Sequence, residues 1–289
     1  TGAAFRRGWG RMRAVWAICK REFASYFVTP VGYVVVGVYV AITGIGVLAS
    51  FIYYARISQS PAAYEYPGVP DFEETMLSPF LVFCGQVILF LGPLITMRLL
   101  AEEKHRGTME LLLSYPVRDA EIVFGKYLAA LGILIVMMGG VFVHLGIVAW
   151  FAAVEPAMLL FGLFSVFLMG AAFVSLGLFI SALARNPITA ATGAFGAFFL
   201  SYILGAIGKD LSEANPAPVS WNEQSRAVVG FFYGLFRQLV QELPIDAHAR
   251  EMTQGILQPE DIVYYAAFIT FFIFLTFRVL EARKWRTTG

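Results

Sequence analysis

Charge is scarce in this chain of 289 residues: only 14% is Asp, Glu, Lys or Arg, whereas 58% is hydrophobic and the mean hydropathy is +0.70. A soluble domain carries roughly 25% charged and about 45–50% apolar residues, so the composition is that of an integral membrane protein. There are two cysteines, Cys19 and Cys84, the first before the first long apolar run and the second inside another. They form no sensible disulfide and no metal-ligand spacing, and no cofactor is implied. The net charge of +1 gives no bulk attraction to nucleic acid. No G-x-x-x-x-G-K-[ST] loop is present, since Gly125-Lys126 is followed by Tyr127 and Gly208-Lys209 by Asp210. The chain has no ATP site of that kind, and it is not read as an enzyme. H-E-x-x-H and G-x-S-x-G are also absent, leaving no visible metal site or nucleophile for an intramembrane protease or hydrolase.

What is there is a series of long apolar runs. A membrane span needs about 20 apolar residues to cross about 30 Å of hydrocarbon, which places six spans at about 31–54, 79–100, 122–151, 157–183, 187–208 and 262–280. Their interiors lack Asp, Glu, Lys and Arg. A transporter driven by protons or sodium keeps carboxylates or broken helices at that depth. His144 is the one ionisable side chain well inside a span; without a carboxylate partner it reads as a neutral, packed or hydrogen-bonded residue, with a proton relay as the alternative. The connections at Glu155-Pro156 and Ala184-Arg185-Asn186 are short enough for antiparallel hairpins. Gly37, Gly44, Gly46, Gly170, Ala171, Ala172 and Gly177 allow close helix approach, and Gly92-Pro93 predicts a kink in the second span.

Lys and Arg are distributed unevenly. Sixteen of the 21 lie before the first span, between Arg98 and Lys126, at Arg185, or from Arg278 onward. The positive-inside rule then puts both termini and the central segment in the cytoplasm. Residues 1–30 divide off as a cytoplasmic N-terminus, 31–280 as the six-span membrane domain and 281–289 as a basic tail. The first dozen residues lack the apolar run and cleavage site of a signal peptide, and Met12 makes a reasonable start, which would make Thr1 to Arg11 an upstream extension. From Arg13 to Phe27, the residues Val15, Trp16, Cys19, Phe23, Tyr26 and Phe27 cluster on one arc, as in an amphipathic helix lying in the headgroup region or a basic anchor for the next span. On the outer side, residues 55–78 read as an irregular loop. Within 209–261, the ten-residue apolar run Ala227 to Phe236 is too short to span and predicts a re-entrant or interfacial helix, with a seventh, glycine-broken span as the alternative.

The longest charged run between two spans is Ala101 to Leu128, A-E-E-K-H-R-G-T-M-E-L-L-L-S-Y-P-V-R-D-A-E-I-V-F-G-K-Y-L. Read as a helix from Glu102, it places Glu102, Glu103, Arg106 and Glu110 on one side and Thr108, Leu111, Leu112 and Tyr115 on the other. Pro116 stops this helix, and Asp119 can cap the next one. A solvated loop is the alternative reading.

Gly107-Thr108-Met109-Glu110-Leu111-Leu112-Leu113-Ser114-Tyr115-Pro116-Val117, with Glu102-Glu103-Lys104 before it and Gly125-Lys126 after it, resembles the first cytoplasmic loop of type-2 ATP-binding-cassette (ABC) permeases, closest to the gliding-motility (Gld) type. Lys20-Arg21-Glu22-Phe23 and the segment from Arg278 to Arg286 extend the resemblance across the chain. The resemblance implies an all-α integral membrane fold of six transmembrane helices in type-2 exporter architecture, with an N-terminal interfacial helix and a cytoplasmic coupling helix. It implies a permease of the bacterial inner membrane that works with a separate ATPase, a second permease copy forming a homodimer or pseudo-dimer, and an auxiliary Gld-type subunit. Glu102, Glu103, Arg106, Gly107, Thr108, Glu110, Leu111 and Ser114 fall on the coupling motif, and Arg185 and Asn186 fall where a second ATPase contact occurs. A membrane scaffold without transport and an ion-coupled transporter are the other classes left open.

Overall fold

A computed structural model describes residues 2–64, 68, 70–108, 118–218 and 220–287. Among them there is no strand. The chain opens with α1 (Gly2–Val28), breaks at Thr29, and enters α2 (Pro30–Gln59). Then come α3 (Ser78–Thr96), the short α4 (Ala101–His105), α5 (Asp119–Phe151), α6 (Pro156–Leu183) and α7 (Pro187–Asp210). The far segment contains α8 (Glu223–Glu242) and α9 (Arg250–Thr253), and α10 (Pro259–Thr287) closes the chain.

Six of these helices are long and apolar enough to cross a membrane, counting α3 with its flanking turns as Glu73–His105. Proline sits in the first turn of α2, α6 and α7, where its fixed φ suits a helix start and its missing N–H leaves nothing unsatisfied. Asn186 caps α7 by accepting from Thr189 N at 2.8 Å. The cap of α5 differs from expectation. Asp119 is the first helical residue and is buried, while Glu121 reaches back to accept from Arg118 N at 3.2 Å.

α3 and α6 form the centre of the bundle, with 61% and 56% of their apolar windows buried against 11% for α10. Peripheral helices turn Phe142, Trp150 and Phe271 outward, as lipid-facing spans do. Gly177 of α6 lies so close to Thr96 of α3 that a Cβ there would collide with the threonine side chain. α3 runs through Pro93 to Thr96, where Met97 N still donates to Pro93 O at 2.9 Å, so the break comes just beyond the proline at 97–100. His144 lies against Gly44, and its Nδ1 has no hydrogen-bond partner among the described residues.

The far segment corrects the sequence reading in length. The helix is 20 residues long, twice the apolar run, because polar Glu223, Gln224, Gln238 and Gln241 at its two ends belong to it. Phe231, Phe232, Leu235, Phe236 and Leu239 are exposed, and Asn222 caps its start by accepting from Ser225 N at 2.9 Å.

Candidate functional site: the polar end of the bundle

The C-terminal end of α3, the start of α5 and the turn between α6 and α7 meet at the same end of the bundle as α1. α1 lies along the first half of α5. Its inward stripe is Val15, Ile18, Cys19, Glu22, Phe23 and Tyr26, at helical spacing of three and four. Gly125 and Gly132 admit the contact, since a Cβ at either would sit 2.7 Å from Ile18 Cγ2 or 2.8 Å from Phe23 Cδ2. Tyr26 donates to Ile95 O at 2.7 Å, fastening α1 to α3, and burial pushes its phenol well above the usual range. Burial likewise raises the Cys19 thiol. The inward stripe departs from the apolar arc at two positions: Trp16 of the arc is 67% exposed, and Glu22 joins the inward face.

Glu22 faces inward because Lys126 is there. The Lys126 side chain is 1% exposed, and its Nζ lies 3.0 Å from Glu103 Oε1 and 3.3 Å from Glu22 Oε1. Arg21 extends the network, 2.7 Å from Glu22 Oε1 and 3.7 Å from Glu103 Oε1. The hydrogen bond to Glu22 raises the Arg21 guanidinium further above its already high range. A second set lies alongside. Glu102 takes Arg98 at 2.8 Å and Arg106 at 2.6 Å, and Arg98 Nη1 donates to Thr29 Oγ1 at 3.1 Å. Thus α1, the end of α3, α4 and α5 are joined by side-chain charges.

The single long helix expected from Glu102 onward does not form. α4 ends at His105, and Gly107 adopts φ +70, a left-handed conformation that terminates helices and that L side chains avoid. The shared face of Glu102, Glu103 and Arg106 is also divided: Glu103 turns toward Lys126, Glu102 sits between two arginines, and Arg106 is 65% exposed. Thr108 is exposed and donates to Glu103 O at 3.3 Å. Glu110, Leu111 and Ser114, with Leu112, Tyr115 and Pro116, lie outside the described residues.

Arg185 and Asn186 are brought to this end by Lys104 and Ser181. Lys104 Nζ donates to Ser181 O at 3.3 Å, to Ala182 O, and to Ala184 O at 3.1 Å, a cation on the carbonyls that end α6. Ser181 Oγ accepts from Leu100 N at 3.1 Å and Ala101 N at 3.0 Å. Ala101, Ala184, Ala190 and Met97 pack together beneath. Arg185 is exposed beside this junction. A cleft of about 830 Å³ opens between α1 and the central segment, bounded by Ile18, Tyr26, Arg98, Glu102, Glu103 and Lys126. Among the described residues, no group of three His, Cys, Asp or Glu is placed to hold a metal ion.

Sequence reasoning missed Glu22 and Lys126 as partners. The signal available was their residue types: a charge on the inner stripe of a helix and a lysine one turn into a span both require a counter-charge.

Six membrane-crossing helices and a polar end built from the loops define a multi-pass membrane protein. The family model described as ABC-2 family transporter protein matches residues 16–285, and the chain belongs to that family. It is therefore a transmembrane permease component of an ABC transporter, in a family whose members are membrane components that work with an ABC ATPase rather than ATPases themselves. No curated protein sequence matches the chain.

Proposed function

We propose that this chain forms the translocation pathway of an exporter-like type-2 ABC transporter in the bacterial inner membrane, with both termini cytoplasmic, and that a separate ATPase docks on its polar end. In this reading Glu102, Glu103, Arg106, Gly107, Thr108, Glu110, Leu111, Ser114, Arg185 and Asn186 form the coupling region. A second permease copy completes the pathway as a homodimer or pseudo-dimer, and the Gld-type resemblance adds an auxiliary membrane subunit. The observation that carries the proposal is the Lys104–Ser181 junction, which holds the central segment and the Arg185 turn as one patch on the end richest in Lys and Arg. The roles within the patch divide by exposure. Arg106 and Arg185 are available to a partner, whereas Glu103 acts from inside.

The test is ATPase co-purified per unit of permease, with ATP hydrolysis in reconstituted membranes. Arg106→Glu, at an exposed rim, weakens assembly by under about 1 kcal/mol, and Glu110→Arg weakens it by roughly 2–5 kcal/mol if its pair is buried in the complex. Wild-type values for both variants at unchanged permease abundance overturn the docking assignment. Orientation is tested separately. Cysteines replacing Ser60 or Ser220 react with an impermeant thiol reagent in intact cells, and one replacing Thr108 does not; labelling at Thr108 reverses the topology.

A further inference from the structure

We propose that Lys126 is a positioning residue that makes α1 and α4 move as one body with the start of α5. This deepens the permease reading above and rests on it for the word coupling, though the tie itself does not depend on an ATPase.

The argument begins with the burial of a lysine. An ammonium 1% exposed needs compensation, and Lys126 has it from two carboxylates on two other elements, Glu22 of α1 at 3.3 Å and Glu103 of α4 at 3.0 Å. Arg21 reaches Glu103 only at 3.7 Å, and Tyr26 and Thr29 bond to the end of α3 rather than to α4. Withdrawing either carboxylate would leave a buried charge short of its partner. Separating these elements therefore costs far more than sliding a surface helix over apolar side chains, and displacement of one carries the others. α5 supplies the fixed point. It is 33 residues long, about 50 Å at 1.5 Å per residue, and Lys126 stands two turns from its start, near the edge of the apolar slab. The cleft that Glu22, Glu103 and Lys126 line gives the segment room to move, and Glu103 Oε2 is buried with no hydrogen-bond partner among the described residues. α1 is thereby a lever set in the headgroup region and worked from the central segment.

The experiment uses spin labels on cysteines replacing Ala24 and Thr108, both exposed, with a second pairing of Thr108 and Ser220. Native Cys19 and Cys84 are buried and stay unlabelled. Distances are measured in nanodiscs holding the full permease, alone and with its ATPase trapped by vanadate. The variant to compare is the triple Lys126→Met, Glu22→Gln, Glu103→Gln, which removes all three charges together and so leaves none buried alone. Lys126→Arg serves as the conservative control. The expected result is a narrow Ala24–Thr108 distribution in wild type and in Lys126→Arg, broadened at least twofold in the triple variant at wild-type abundance. An unchanged width in the triple variant overturns the proposal. So does a wild-type Ala24–Thr108 distance that shifts on trapping as much as Thr108–Ser220 does. If trapping moves neither pair, the ATPase-driven reading fails, and the resting widths still decide the tie.

Discussion

The two ends of the bundle are both closed by buried polar groups, but they are built differently. At the far end, acceptors are mostly main-chain carbonyls. Tyr264 and Tyr265 donate to Leu243 O and Ile245 O at 2.7 Å each, and Ser165 donates to Ala249 O at 3.0 Å. His248 stacks on Tyr264 at 3.8 Å, with its ring nitrogens each 2.9 Å from Asp261 Oδ1 and Glu242 O. These bonds fix the path of one loop over α6 and α10. At the other end, ions on three separate helices face one another through their side chains. The far end is a stitched lid, and the polar end is a joint.

The comparison is broken most directly by removing one ion from the joint. Lys126→Met leaves Glu22 and Glu103 buried with like charge and destabilises the permease by about 3–5 kcal/mol, read as melting temperature in detergent, whereas the neutral triple variant recovers most of that loss. A single variant as stable as wild type would place the joint in water. At the lid, His248→Ala removes a partner from Asp261, which is 10% exposed, and costs about 1–3 kcal/mol. Its effect is confined to proteolytic sensitivity of residues 243–261, while the Ala24–Thr108 distance stays the same. Asn186→Ala removes the cap of α7 and costs about 1 kcal/mol, and Asn186→Asp retains it. The smallest effect is at Tyr26→Phe, where loss of the bond to Ile95 O costs about 0.5–1.5 kcal/mol, measured as faster hydrogen exchange in α1.

The spans were legible because a bilayer imposes a length and an exclusion of charge that one sequence displays in full. Short connectors and most of the α1 arc followed from local chemistry. Glu22 and Lys126 did not, because each looks like a solvated charge until the other is placed beside it, and that placement depends on how α1 crosses α5. The extent of α4 was misread for a related reason. The helical phase of Glu102, Glu103, Arg106 and Glu110 assumes a helix through Gly107, and periodicity carries no information on a φ of +70. α8 was read short because its length was taken from its apolar run, although an amphipathic helix alternates sides throughout.

The Lys104 ammonium, seated on the carbonyls that end α6, bears on avidity. In the proposed docking, the two footholds lie 80 residues apart in sequence and are held at a fixed spacing before the partner arrives. A partner touching the central segment therefore meets the Arg185 turn at high effective concentration and loses no further entropy in arranging it. Loosening Lys104 would then slow nothing in the first encounter and would shorten the residence of whatever binds both.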